Sequence, residues 1–364
     1  GSLNRSEPYI LFVNHNSYMD YKTAAKSVFP YSASNVVALD AHIKLDPLVR
    51  WIGGISKRKF LSDSSMVRQI LHVIRVHKIP FILYPEARYS LVGTESSLPS
   101  GLAKLIKVAK VPLVILINDG HHLAKPYWHS KKRMVKTEST LTQVVSKEDL
   151  ETISVEEIET RIKKVFKYDD YQWQKDNQIK IKSKKRAEGL HRVLYQCPNC
   201  LKENHMHSRG IKLECTACKK TYELDVYNQL KATSGKTEFT HIPDWFEWQR
   251  NHVKALIIND QYHIETEVLV EVLPDSKGFI KVGAGQLVHT RQGFELRYSF
   301  NGEEKTITKT PKNQYAIHVE YTQAGDKISF STDTQTYFLT VKDPSISVTK
   351  LYLATEELYK IICL

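Results

Sequence analysis

Four of the five cysteines fall as two Cys-x-x-Cys pairs, Cys197/Cys200 and Cys215/Cys218, with fourteen residues between the pairs. Such knuckles suit one arrangement above others, in which they face each other and close four thiolates round a metal ion in a tetrahedron. Turn-forming residues fill each knuckle (Pro198-Asn199 and Thr216-Ala217), and Leu201 and Lys219 follow where a backbone N–H can bond to sulfur. Four thiolates leave no open coordination position, so structural zinc is the expected ion, with iron in the same shell as the alternative. His205 and His207 lie between the pairs and have no ligand place left. Thiols in metal spacing belong to a reducing compartment, which makes the chain cytoplasmic in expectation. Cys363, in an apolar context, reads as a buried free thiol.

Upstream of the cysteines, residues 8 to about 170 alternate short apolar runs with helical patterns. The runs Tyr9–Val13, Val36–Leu39, Phe81–Tyr84 and Val111–Ile117 are continuous, as expected of strands buried on both faces. Between them, Ser62 or Asp63 suits the cap of a helix that puts Met66, Val67, Ile70, Leu71 and Ile74 on one face. A helix over Ser100–Lys110 turns Leu102, Leu105, Ile106 and Ala109 inward. Ser154-x-x-Glu157 is a capping box ahead of Ile158, Ile162, Val165 and Phe166. This alternation predicts an α/β fold, a mixed sheet covered by helices.

At 364 residues the chain is too long for one ordinary core. The expected division is an α/β domain over 1–175, a basic connector over 176–194, a zinc ribbon over 195–235 and a β-rich domain over 236–364. The connector holds Lys180-Ile-Lys-Ser-Lys-Lys-Arg186, read first as a solvated charge run. In the last part a helix begins at Ile242. Strand-like segments then follow from Gln261 to Val341, separated mostly by Gly, Asp or Asn turns, and a closing helix spans Val348–Ile362. Short strands so spaced suggest a small barrel or sandwich. Tyr9, Trp128 and Trp245 read as core or domain-contact aromatics. No uncharged apolar run approaches the ~20 residues of a membrane helix. The net charge of +12 suits an acidic partner, either nucleic acid or an anionic membrane surface.

The residues that suggest chemistry lie at strand ends in the α/β part. Ile10–Val13 runs into Asn14-His15, and Asp20 follows five residues later at the start of a helix. A carboxylate so placed can hold an imidazole ready to take a proton. Phe81-Ile-Leu-Tyr-Pro is followed by Glu86 and Arg88, where α/β folds place ligand contacts. Arg88 there suits a phosphate, and Glu86 suits the Arg or a substrate hydroxyl; a structural ion pair is the plainer reading. Gly53-Gly54 precedes Lys57-Arg58-Lys59, cations that suit an anionic headgroup or a surface loop. Gly120-His121-His122 follows the fourth strand and reads as a hydrogen-bonded structural pair, with a place in the same cleft as the alternative.

In order and spacing these pieces resemble the four blocks of the glycerolipid acyltransferases, best known from the 1-acylglycerol-3-phosphate (lysophosphatidic acid) acyltransferases. The blocks are Asn14-His15-x-x-x-x-Asp20, the Gly-Gly-Ile…Lys/Arg segment at 53–58, Tyr84-Pro-Glu-Ala-Arg88-Tyr-Ser90 and Val111-Pro-Leu-Val-Ile. They cover roughly residues 8–170, and the whole chain is similar to bacterial members with a zinc ribbon and a C-terminal β domain. The resemblance implies an O-acyltransferase of phospholipid biosynthesis. His15 would be the general base, Asp20 its orienting carboxylate, and acyl-CoA or acyl-carrier protein the donor. Glu86 and Arg88, with Arg58 or Lys57, would bind the phosphate or glycerol end of the acceptor. It also implies a peripheral place at the membrane; a nucleic-acid partner is not expected, because no stacking aromatics interleave the basic run and the ribbon sits between two larger domains.

Three departures stand out. The family's third block usually reads Glu-Gly-Thr/Ala-Arg-Ser, whereas one residue separates Glu86 from Arg88 here. Lys57 stands where the family often has Asp. The helices that usually precede the His motif are not among these residues, and Gly1-Ser2 reads as a tag-cleavage scar, so a missing N-terminal segment is expected. The competing function is a zinc-ribbon nucleic-acid-binding protein whose α/β domain is not catalytic, resting on the basic run at 180–186.

Overall fold

The computed structural model describes residues 3–61 and 64–363. Ser62 and Asp63, the expected helix cap, therefore lie outside the described residues. The chain divides into two compact units, one of Gly1–Lys57, Ser62–Tyr127 and Lys132–Ile179, the other of Arg58–Leu61, Trp128–Lys131 and Lys180–Leu364.

The first unit is a six-stranded sheet with helices on both faces. In chain order its elements are β1 (Ile10–Val13), α1 (Met19–Val28), β2 (Ser34–Ala38), α2 (Asp46–Trp51), β3 (Gly54–Lys57), α3 (Ser64–His72), β4 (Phe81–Leu83), α4 (Leu102–Ala109), β5 (Leu113–Asp119), α5 (His121–Ala124), β6 (Glu138–Val145), α6 (Asp149–Thr152), α7 (Val155–Val165) and α8 (Asp170–Asp176). The strand order is β3-β2-β4-β1-β5-β6. Every pairing is parallel except β5 with β6, which is antiparallel.

β1 lies between β4 and β5, so no side chain on it meets water, and this accounts for its unbroken apolar run. Side chains alternate between two cores. Ile10, Phe12, Phe81, Leu83, Leu113 and Ile115 pack with Ile70, Ile106, Ile158 and Ile162 on one face. Leu11, Val13, Ile82, Val114 and Leu116 pack with Ala24 and Val28 of α1 on the other. Each such side chain, fully withdrawn from water, contributes about 1.5–3 kcal/mol. The Ser154 hydroxyl caps α7 by accepting from the Glu157 amide at 3.1 Å.

The second unit contains a small antiparallel sheet, β7 (Met206–Arg209), β8 (Lys212–Cys215), β9 (Thr221–Leu224) and β10 (Leu230–Ala232), carrying the second cysteine knuckle at the end of β8. Then come α9 (Ile242–Ile258), β11 (His263–Leu273), β12 (Ile280–Thr290), β13 (Gly293–Phe300), β14 (Glu303–Lys309), β15 (His318–Glu320), β16 (Lys327–Ser331), β17 (Thr336–Val341) and α10 (Val348–Cys363). The expected barrel or sandwich is corrected here. These seven strands form one antiparallel sheet in the order β14-β13-β12-β11-β17-β16-β15, and among the described residues its two edges do not pair. The closing helix buries most of its length, from Val348 to Leu358.

Within the basic run the lysines Lys180, Lys182, Lys184 and Lys185 are exposed, as expected of a solvated charge run, whereas Arg186 and the apolar residues after it are buried. Ala187, Leu190, Val193 and Leu194 are buried, and the Arg186 guanidinium donates to the carbonyls of Leu224 and Ser183. α9 fastens the first knuckle to this core. Gln249 accepts from the Gln196 amide and donates to the Val193 carbonyl, both at 2.9 Å, and the Trp245 indole donates to the Gln196 carbonyl.

Candidate active site and metal centre

Asn14 sets the position of His15. Its side-chain amide donates to the Asn118 carbonyl at 3.1 Å and accepts from the Asn118 amide at 2.8 Å, prolonging the β1–β5 ladder by one rung. His15 therefore emerges at the C-terminal edge of the parallel strands, where α/β folds gather ligands. Asp20, in the first turn of α1, reaches back over the connection. Its Oδ2 accepts from the amides of Asn16 (2.6 Å) and Ser17 (2.7 Å) and faces His15 Nδ1 at 3.4 Å. That last separation is long for a hydrogen bond. The His15 side chain is about one-fifth exposed (21%), whereas Asp20 is fully buried. With Nδ1 turned inward, Nε2 is the ring nitrogen left for proton transfer. Tyr84 and Tyr89 pack against the imidazole, with ring centroids 4.5 and 4.3 Å away.

The other oxygen of Asp20 is taken by His121, whose Nδ1 lies 2.5 Å from Oδ1. Gly120 makes this possible. It turns the chain out of β5 at φ +79°, and a Cβ there would lie 2.7 Å from the Lys136 carbonyl oxygen. His121 Nε2 is buried without a partner, so the proton belongs on Nδ1, donated to Asp20. Burial alone would raise the Asp20 pKa, but the hydrogen bond from His121 and the His15 imidazole close by outweigh it, and the carboxyl lies below its usual range. Asp20 thus stays a carboxylate, the form that stabilises a charged imidazole. His122 points elsewhere: its Nε2 meets the Tyr171 hydroxyl at 3.2 Å, and burial pushes its pKa down to about 3.

Glu86 does not stand where a substrate-binding residue would. Its Oε2 accepts from the His15 amide at 2.8 Å, its Oε1 from the Ser96 amide at 2.7 Å, and the Tyr168 hydroxyl sits 3.0 and 3.1 Å from the two. It is 1% exposed, and burial raises its pKa to about 7 against those donors. Glu86 is a bracket on the backbone of His15. The Ser90 amide completes the bracket by donating to the His15 carbonyl at 2.8 Å. Between these contacts Ala87 turns the loop at φ +55°, a conformation in which glycine is unstrained and alanine is not.

The cations are spread more widely than expected. Arg88 is buried at 2% exposure. Lys57 ends β3 at the same sheet edge as His15 but three strands away, roughly 14 Å at the usual strand spacing, and its Nζ donates to Ser65 Oγ at 2.8 Å. Arg58 falls in the second unit, where its guanidinium donates to the carbonyls of Pro274, Asp333 and Thr334. That donor set is taken up by the turns after β11 and between β16 and β17, which corrects the expectation of a phosphate ligand.

The cysteine pairs do converge. The four Sγ atoms lie within 4.8 Å of one another, with Cys197–Cys218 and Cys200–Cys215 both at 3.7 Å. A tetrahedron with metal–sulfur bonds of about 2.3 Å has edges of about 3.8 Å, so the spacing fits one ion. The knuckles match in their backbone as well. Leu201 and Lys219, at φ +64° and +63°, donate to the carbonyls of Cys197 and Cys215. The amides of Asn199 and Cys200 face Cys197 Sγ, and those of Ala217 and Cys218 face Cys215 Sγ. Four cysteines so held could hold a metal ion.

No protein-family model matches this chain, and no curated protein does. Among solved structures, the 1-acyl-sn-glycerophosphate (LPA) acyltransferase PlsC from Thermotoga maritima is similar over 47% of this chain and 67% of its own, at 16% identity and a TM-score of 0.38. A likeness that distant adds no argument to the geometry above.

Proposed function

We propose that this chain transfers an acyl group from an acyl thioester, acyl-CoA or acyl-carrier protein, to a hydroxyl of a lysophospholipid or glycerol-phosphate-type acceptor. The observation that carries this reading is the His15–Asp20 pair, with the carboxylate pinned by two amides at the open end of β1. The acceptor O–H gives its proton to His15 Nε2 as its oxygen bonds to the thioester carbonyl carbon. Asp20 stabilises the imidazolium that forms. Collapse of the tetrahedral adduct breaks the C–S bond, and the sulfur leaves with the proton returned by His15. Glu86 and Ser96 act through position only, by holding the loop that carries His15. Cys197, Cys200, Cys215 and Cys218 would hold zinc, which stiffens the small sheet and, with a closed shell of four thiolates, takes no part in the transfer.

The test offers purified protein a panel of lysophospholipids and glycerol phosphate with labelled acyl-CoA or acyl-carrier protein. An acylated product from at least one donor–acceptor pair is expected. No product across the panel would end the proposal.

A further inference from the structure

One face of the first unit carries apolar side chains that nothing in that unit covers among the described residues. Among the described residues, eight of the 18 large apolar side chains left exposed fall within residues 18–52, about a tenth of the chain. α2 and the residues that flank it supply a stripe at helical spacing: Leu45, Leu48 and Ile52 at 51–54% exposure and Trp51 at 83%. α2 buries none of its residues fully. Phe29, at 73%, and Tyr31 extend the patch. Their connection enters β2 beside the turn that enters β3, as the Ser34 hydroxyl bonded to the Gly53 carbonyl and the pairing of Asn35 with Gly54 require.

α1 lies on the same face. Val36 and Ile55 turn to the α3 and α4 core, so Val37, and Val49 of α2 close by it, belong to the opposite face with Ala24 and Val28. The outer side of that face is basic. Lys22, Lys26 and Lys44 are exposed, with no carboxylate partner among the described residues. Asp46 offsets little, since it is turned to Arg50, His42 and Ser56. Trp, Leu, Ile and Tyr at the surface, with lysines around them that no carboxylate neutralises (Lys22 leans only on the Tyr18 ring, 5.9 Å to its centroid), match the chemistry of an anionic lipid interface, whose headgroups meet the cations while the apolar tips enter the acyl boundary.

We infer that the α1–α2 face docks on the surface of an anionic bilayer, with Leu48 and Trp51 inserted and Lys22, Lys26 and Lys44 on the headgroups. This surface stands apart from the acyl-transfer reading, and its test is read from binding alone. Wild-type protein is sedimented with vesicles of phosphatidylcholine and phosphatidylglycerol at about 3:1, and with phosphatidylcholine alone. Binding to the anionic vesicles is expected, with release by ~0.5 M NaCl. Leu48→Ser/Trp51→Ser lowers the partition coefficient by about tenfold or more, and so does Lys22→Glu/Lys26→Glu/Lys44→Glu. All five positions are exposed, so melting curves should match wild type. Three results overturn the inference. The wild type stays in the supernatant; the double variant binds as wild type does; or sedimentation equilibrium shows a dimer that the double variant abolishes, which makes a second copy the occupant.

Discussion

Replacing Glu86 by glutamine tests what this buried carboxyl does for the fold around His15. Burial holds its pKa near 7 in the folded chain, against an ordinary value of 4.5. A folded-state pKa above the unfolded one means that the fold holds the proton more tightly. The associated stability is complete below about pH 4.5 and is lost as pH rises through 7. A difference of about 2.5 pKa values corresponds to roughly 3 kcal/mol. The variant's glutamine cannot ionise, but one of its N–H donors must face the amide of His15 or Ser96, costing about 1–3 kcal/mol at every pH. At pH 5 Glu86→Gln is therefore the less stable protein by that amount. By pH 8 the gap closes or reverses, because the wild type has lost its own roughly 3 kcal/mol. The assay is urea unfolding from pH 4.5 to 8, followed by hydrogen exchange in peptides covering residues 9–16 and 84–96, which reads the first unit by itself. A gap that stays constant or widens toward pH 8 would refute the reasoning, for it would mean that the three donors hold Glu86 ionised throughout.

Other outcomes follow from the same geometry. His121→Ala frees one oxygen of Asp20 and should lower kcat by about ten- to a hundredfold with KM little changed. His121→Asn, whose amide can replace the Nδ1 donor, should recover most of the loss, and steady-state kinetics on the pair checks both. Ala87→Gly relieves a left-handed alanine and should leave stability unchanged or raise it by up to about 1 kcal/mol, where the same exchange in an ordinary helix or strand lowers it; thermal melts decide. Elemental analysis should find one zinc per chain. Chelation, or Cys200→Ser, should remove it and open the amides of β7, β8 and β9 to hydrogen exchange.

Much of this molecule can be read from its residues, and the parts that cannot have physical reasons. β1, β4 and β5 announce themselves because they are buried on both faces. β3 and β6 lie at the edges, and their mixed sequences, Gly54–Lys57 and Glu138–Val145, carry no such run. β16 and β17 are legible to the residue, yet pairing alone decides whether seven strands close into a barrel, and pairing leaves no mark on any single strand. The spacing of His15 and Asp20 suggests their partnership because both belong to one connection. His121 is 101 residues from Asp20 and reaches it only because β5 lies beside β1. Glu86 misleads for a related reason. A carboxylate at a strand exit looks like a ligand-binding group, whereas here backbone amides and a tyrosine take up both of its oxygens.

The central claim is that His15 removes the proton from the acceptor hydroxyl. The most direct measurement compares initial rates of acyl transfer by wild type and His15→Ala on whichever donor–acceptor pair gives product. Loss of a positioned general base lowers the rate by about a hundred- to ten-thousandfold. A His15→Ala protein that transfers acyl groups at the wild-type rate would contradict the account.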